Sequence, residues 1–223
     1  MSHDLTRPLG RLLAHLDMHL VDHGVVRAVY NNFHPLGGGM YRLSQPSPAQ
    51  LRRYHRRYGI RTVVNLRGEN EWGSYALEVE TCRELGIALV NHRLYSRRLP
   101  TVDEVLGLRD VFARIEYPAL MHCKSGADRA GLAAALYRHF QMGDPIETSA
   151  RQLRWIYGHF RMGDTAKLDY FFDRYLADGA AHGIAFVDWL TTRYDRAALD
   201  AESERHKPSA LGRWFVDRVL RRE

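Results

Sequence analysis

Tyr117-Pro118-Ala119-Leu120-Met121-His122-Cys123-Lys124-Ser125-Gly126-Ala127-Asp128-Arg129-Ala130-Gly131-Leu132 divides into three parts with different physical characters. Pro118 to His122 is a short apolar run behind a proline, the pattern of a buried strand. Arg129 to Phe140 is rich in Ala and Leu, with Leu132, Ala135, Leu136 and His139 at helical spacing, and reads as a buried helix. The loop between them begins at Cys123 and lies at the mouth of a helix N-terminus. Unpaired backbone N–H groups and the positive end of the helix dipole make such a loop a place for an anion. Gly126 lets the loop curl so that successive N–H groups face inward, and Arg129, on the first helical turn, can fork onto two phosphate oxygens. The same positive field favours the thiolate of Cys123 and so makes it a nucleophile.

His122-Cys123-Lys124-Ser125-Gly126-Ala127-Asp128-Arg129 resembles the His-Cys-x5-Arg signature of the protein-tyrosine-phosphatase superfamily, nearest its atypical dual-specificity branch. Met40 to Pro48 and Thr62 to Arg67 resemble the opening strands of bacterial members, so the likeness runs from about Met40 to Phe160. It implies attack of Cys123 on phosphorus, a phosphocysteine intermediate hydrolysed by water, and Arg129 on the phosphoryl oxygens. Lys124, Ser125, Gly126 and Ala127 then line the phosphate site. The usual acid of the superfamily is an Asp on a separate loop about thirty residues before the cysteine. Here that region, Val90-Asn91-His92-Arg93-Leu94-Tyr95-Ser96-Arg97-Arg98, holds no carboxylate. Myotubularin-type and Sac-type phosphoinositide phosphatases carry an Asp directly before the signature Arg, which makes Asp128 the candidate proton donor. Ala130 replaces the family's Ser or Thr, whose hydroxyl steadies the departing thiolate, and this implies slower phosphocysteine breakdown.

The whole chain, 223 residues and 45% apolar, can bury one substantial core. Net charge +6 points to an anionic partner. Two cysteines, Cys82 and Cys123, do not make a disulfide framework, and a reactive thiolate suits a reducing compartment, so a cytoplasmic location is expected, with peripheral membrane contact as its extension. The sequence contains neither an apolar run of membrane-spanning length nor a signal-peptide pattern.

Leu9, Leu12, Leu13, Leu16 and Leu20 form a helical stripe, expected to lay an amphipathic helix ending near Gly24 on the domain, with an interfacial role toward lipid as the alternative. His15, His19 and His23 repeat at helical spacing but have no acidic or thiol partner to complete a metal set; no metal or cofactor is expected. Gly37-Gly38-Gly39 reads as a turn into a strand over Met40 to Leu43. Ser47 caps a helix through Tyr58, closed by Gly59 and studded with arginines. Strands follow at Ile60 to Leu66 and Ile87 to Val90, around a helix from Glu71 to Leu85. Thr101 and Glu104 form a capping box on a helix running to about Ile115. This order predicts an α/β fold, a mainly parallel central sheet flanked by helices, with the site at the carboxyl ends of the strands. Arg67, Arg97 and Arg98 open onto that edge as candidate substrate contacts, Arg67 equally as an ion-pair partner. His122 is placed among the substrate-binding residues, expected to orient the loop by hydrogen bonding, and Cys82 is expected to sit in the core.

Beyond Phe140, helices are expected over Pro145 to His159, Ala166 to Leu176 and Ile184 to Tyr194, aromatic-rich and without catalytic spacing. Asp195 to Lys207 reads as a charged, turn-like, flexible connection, and Leu211, Trp214, Phe215, Val219 and Leu220 as a basic amphipathic helix. The division expected is 1–39 as helix and lead-in, 40–195 as the phosphatase domain and 196–223 as a helical C-terminal extension. The leading function is a cysteine-dependent phosphatase of protein-tyrosine or dual-specificity type acting on phosphorylated protein. The alternatives are a lipid or inositol phosphate phosphatase at an anionic membrane, in line with Lys124 beside the nucleophile as in lipid-directed members, and a phosphate-binding module without turnover. A sulfurtransferase does not need Arg129, an arsenate reductase needs more cysteines, and no nucleic-acid motif is present.

Overall fold

The computed structural model describes residues 5–18, 22 and 31–205, with side chains to 203. Two compact units are distinguishable. The first comprises the described residues up to Arg93 together with Arg114–Gly126, and the second Leu94–Ala113 together with Ala127 onward.

The first unit contains α1 (Pro8–Leu16), β1 (His34–Gly37), β2 (Met40–Ser44), α2 (Pro48–Tyr58), β3 (Thr62–Asn65), α3 (Gly73–Leu85), β4 (Ala88–Asn91) and β5 (Ala119–Cys123). The sheet order is β1-β2-β5-β3-β4, and all pairings are parallel except β1 with β2. The mainly parallel sheet expected from the strand and helix order is therefore present. The antiparallel β1 was not anticipated: Gly37, Gly38 and Gly39, with φ of 87°, 57° and 79°, turn β1 into β2 and are not merely a lead-in. β5 lies at the centre, every one of its residues buried. Its register sets Cys123 beside Ser44 and His122 beside Asn65, so three strands end at one edge.

Ser47 caps α2 and accepts from the Gln50 amide, while Gln50 returns a bond to the Ser47 amide, and Gly59 closes the helix at φ 65°. Leu43, Leu51, Tyr54, Ile60, Val63, Cys82, Ile87 and Leu120 form a core against which Phe33, Tyr41 and Tyr58 pack. Phe33 stacks on Tyr54 with ring centroids 4.7 Å apart. Cys82 is thus a core residue, and burial pushes its thiol up to about 12.

α1 departs from expectation. It docks through Ala14 and Met18, which cluster with Leu77. Gly73 makes this close approach feasible, since a Cβ there would lie 2.4 Å from the Ala14 carbonyl oxygen. The apolar stripe faces away: Leu9, Leu12, Leu13 and Leu16 are 67%, 55%, 49% and 44% exposed. Leu20 and Gly24 lie outside the described residues, as do His19 and His23.

The second unit contains α4 (Val102–Arg114), α5 (Asp128–Phe140), α6 (Ile146–Ser149), α7 (Lys167–Asp178), α8 (Phe186–Thr192) and α9 (Arg196–Arg205). The capping box of α4 is present: the Glu104 amide donates to Thr101 Oγ1 at 3.1 Å and the Thr101 amide to Glu104 Oε2 at 2.8 Å. Phe171, Phe172, Tyr175, Phe186, Trp189 and Tyr194 make a continuous aromatic core.

Two expectations fail in this unit. Pro145 to His159 is not one helix; after α6 the chain runs in short 3-10 turns at Ala150–Gln152 and Trp155–Tyr157, and Gly158 at φ 76° ends the second. Asp195 does not open a flexible connection: its carboxylate accepts from the Ala198 amide at 3.0 Å, which caps α9. The basic stripe from Leu211 to Leu220 lies outside the described residues.

Candidate active site

Cys123 ends β5 and is buried, and α5 begins at Asp128. The loop between them is held from outside by its carbonyls. The Gln45 amide donates to the Lys124 carbonyl at 3.2 Å, Asn32 Nδ2 to that of Ser125 at 3.2 Å, and Arg42 Nη2 to that of Gly126 at 2.8 Å. In a trans peptide the carbonyl and the following N–H point in opposite directions. Tethering three successive carbonyls therefore turns the next three amides, those of Ser125, Gly126 and Ala127, the other way, as an anion cradle requires.

Gly126 is obligatory in this geometry. Its φ is 73°, and a Cβ would lie 2.6 to 2.8 Å from the backbone of Leu43 and Ser44. Asn32 adopts φ 49°, the conformation Asn tolerates best among residues with a Cβ, and from it reaches Ser125. Neither Arg42 nor Asn32 figured in the sequence reading; an Arg in a strand of otherwise buried residues was the signal available.

His122 is wholly buried, so its place among the substrate-binding residues is corrected. Its Nδ1 lies 3.3 Å from the Cys123 carbonyl and its Nε2 2.8 Å from Oε1 of the buried Glu78. These contacts hold the end of the strand. Arg67 is likewise corrected. Instead of opening onto the strand edge it is buried, with Nη1 2.8 Å and Nη2 3.0 Å from the carboxylate of Asp22 and further bonds from Nη1 to Gln45 and Ser74. Of its two readings, the ion pair is realised. Lys124 Nζ lies 3.6 Å from Oδ1 of Asp22, the oxygen that Arg67 Nη2 also holds, so one buried carboxylate serves both cations.

Asp128 is buried at the first turn of α5, and Arg129 beside it is half-buried. Oδ1 of Asp128 lies 2.7 Å from Nδ1 of His159, whose Nε2 lies 2.8 Å from Oδ2 of Asp169. Burial disfavours the charged imidazole, but hydrogen bonds to Asp128 and Asp169 outweigh it and raise the His159 pKa to about 9. The residue spacing beyond Phe140 gives no sign of this group. The continuous helix assumed over Pro145 to His159 hid it; a break at Gly158 frees His159 to be aimed by tertiary structure.

Arg98 is drawn to Glu104 by two hydrogen bonds at 2.5 and 3.0 Å and sits 4.1 Å above the Tyr95 ring, while Arg97 is exposed. Arg98 is thereby tied to the capping box of α4. Among the described residues no His, Cys, Asp and Glu cluster is arranged to hold a metal ion, and no helix is long and apolar enough to cross a membrane. Cys82 and Cys123 are both free thiols.

A family model described as DSP-PTPase phosphatase fused to NAD+ kinase matches residues 38–163. Comparison with curated proteins finds no match. Among solved structures, TpbA of P. aeruginosa is similar at 19% identity and TM-score 0.53, over 76% of this chain and 91% of that one. The same protein in complex with pTyr is similar at 19% identity and TM-score 0.52, over 75% and 90%. The core catalytic domain of the PP-IP phosphatase SIW14 from S. cerevisiae, in complex with citrate, gives 20% identity and TM-score 0.51, over 66% and 91%. At these identities the structural likenesses speak for the fold, an α/β sheet flanked by helices.

Proposed function

The chain belongs to the family described as DSP-PTPase phosphatases fused to NAD+ kinase, and on that premise we propose that it hydrolyses phosphate monoesters with Cys123 as nucleophile. The observation that carries this reading is the outward tethering of the Lys124, Ser125 and Gly126 carbonyls immediately after that cysteine. A phosphoryl group in the loop meets the amides of Ser125, Gly126 and Ala127 and the guanidinium of Arg129, donors aimed where charge develops. The sulfur attacks phosphorus, the ester oxygen departs with a proton from Asp128, and water hydrolyses the phosphocysteine. The substrate class proposed first is phosphorylated protein, in keeping with the dual-specificity type, and the location cytoplasmic.

A phosphatase needs the thiolate and a mere phosphate-binding module does not, so one substitution separates them. Cys123→Ser is expected to abolish hydrolysis of an aryl phosphate and leave its binding measurable by calorimetry; unchanged turnover would remove Cys123 from the chemistry. A panel of phosphopeptides, inositol phosphates and lipid phosphates, run on both proteins, identifies the substrate class.

A second reading, a lipid or inositol phosphate substrate met at an anionic membrane, is favoured by one observation. The exposed leucines of α1 give the molecule an apolar stripe of the kind that enters a lipid interface. Lys124 beside the nucleophile suits a polyanionic headgroup equally well.

A further inference from the structure

Asp128, His159 and Asp169 form a relay of three side chains, the first two buried and Asp169 part-buried, in which both ring nitrogens are committed, Nδ1 to Asp128 and Nε2 to Asp169. The His159 side chain is only 1% exposed. It cannot touch a substrate and can act only through its neighbours. A staple joining this segment to α5 would be satisfied by one carboxylate. A second, part-buried carboxylate adds a desolvation cost and leaves the group with a net negative charge when the ring is protonated. That excess argues for a function in moving charge.

We propose that His159 is a positioning residue for the leaving-group proton, tying Asp128 to Asp169 so that the three side chains hold one transferable proton next to Arg129. The inference rests on the reading that the ester oxygen takes its proton from Asp128. Two arrangements of the relay carry the same total charge: imidazolium between two carboxylates, or neutral imidazole beside a protonated Asp128. The second follows from the first by moving the Nδ1 proton onto the carboxylate. When the phosphorus–oxygen bond breaks, its electron pair stays on the ester oxygen, which takes the proton from Asp128 while the phosphoryl group passes to the Cys123 sulfur. Water then attacks phosphorus, the sulfur–phosphorus pair returns to sulfur, and the proton lost by water refills the relay. The charged groups facing the imidazole are Asp128 from α5 and Asp169 from α7, and both raise its proton affinity against the opposing effect of burial.

The test compares wild type, His159→Asn, Asp169→Asn and Asp128→Asn on p-nitrophenyl phosphate, whose leaving group needs little help, and on an alkyl phosphate, across the pH range. His159→Asn is expected to lower kcat on the alkyl ester at least about thirtyfold more than on the aryl ester, a part of the roughly hundredfold or more that a general acid contributes, with KM little changed. Wild type should lose alkyl activity as pH rises through about 9, and in His159→Asn and Asp169→Asn that limb should move to lower pH. Equal losses on both esters with a lowered Tm would make the group a staple and overturn the proposal. So would alkyl turnover untouched in Asp128→Asn, which would break the route through that carboxylate while leaving Cys123 chemistry standing. Persistence of turnover in Cys123→Ser, or its absence from wild type, would instead remove the phosphatase reading and this proposal together.

Discussion

Nη2 of Arg42, wholly buried in β2, donates to the carbonyl of Gly126 at 2.8 Å, so a strand side chain sets the orientation of a peptide in the loop after Cys123. Removing the guanidinium leaves a buried carbonyl unpaired and releases that peptide to rotate. Arg42→Met is expected to cost about 1–3 kcal/mol in urea unfolding. It should also weaken binding of inorganic phosphate, followed as inhibition of aryl phosphate hydrolysis. Full retention of phosphate affinity would show that the loop holds its shape without this bond.

Gly126 and Gly86 have similar backbone angles, φ 73° and 65°, yet differ in surroundings. At Gly126 a Cβ meets backbone atoms within 2.8 Å; at Gly86 it meets nothing within 4 Å. Gly86→Ala should therefore cost only the left-handed conformation, about 1 kcal/mol. Gly126→Ala must also displace β2 or the loop, and is expected to cost at least twice as much and to lower kcat/KM more than tenfold. Paired Tm and kinetic measurements decide; equal effects at both sites would place the difference elsewhere than in the clash.

The loop and the central strand were legible because they obey local rules: an apolar run, a turn glycine, and a helix start with Arg on its first turn. α2 with its Ser47 cap and α4 with its capping box were legible for the same reason. What escaped depended on pairs distant in the chain. Arg67 at a strand end looks the same in sequence whether it meets substrate or Asp22, and only the packing around Ser74 and Gln45 decides. The leucines of α1 have the periodicity of a buried face, but the helix docks through Ala14 because Gly73 admits it closely. His159 was lost when a helix was drawn through a segment that breaks into 3-10 turns.

Asp22 accepts two bonds from Arg67 in a buried setting, and Lys124 lies near Oδ1, one of the same two oxygens. Truncating one partner leaves an uncompensated buried charge, which costs about 3–5 kcal/mol. Asp22→Ala is expected to destabilise on that scale, and Arg67→Ala similarly. A substrate contact would instead raise KM at unchanged stability. Chemical denaturation of Arg67→Ala, read beside its KM, distinguishes the two roles.

His159 also makes stability depend on pH. Its proton is held more tightly in the folded protein, with a pKa near 9 against an ordinary 6.5, which corresponds to about 3 kcal/mol. A raised pKa stabilises fully below the unfolded value, and that contribution fades as pH rises through the folded one. Between about pH 6 and pH 10, wild type should lose about 3 kcal/mol more unfolding free energy than His159→Gln. Parallel urea curves for the two proteins across this range would mean that the imidazole carries no such charge.

The leucine stripe of α1 gives the membrane reading a direct measurement. Leu9, Leu12, Leu13 and Leu16 project from a helix that docks by its other side, while Arg11 is held by Glu80 through two bonds at 2.8 and 2.9 Å. Each leucine that enters an interface returns about 1.5–3 kcal/mol when fully buried, so removing four should abolish any measurable partition. With vesicles of phosphatidylcholine and phosphatidylserine, wild type is expected to sediment with lipid and the quadruple Leu→Ser protein to remain in the supernatant. Hydrolysis of p-nitrophenyl phosphate should be the same for both, because the four leucine side chains are exposed. Wild type left in the supernatant with anionic vesicles would exclude this helix as a lipid contact and return the choice of substrate to soluble phosphate esters.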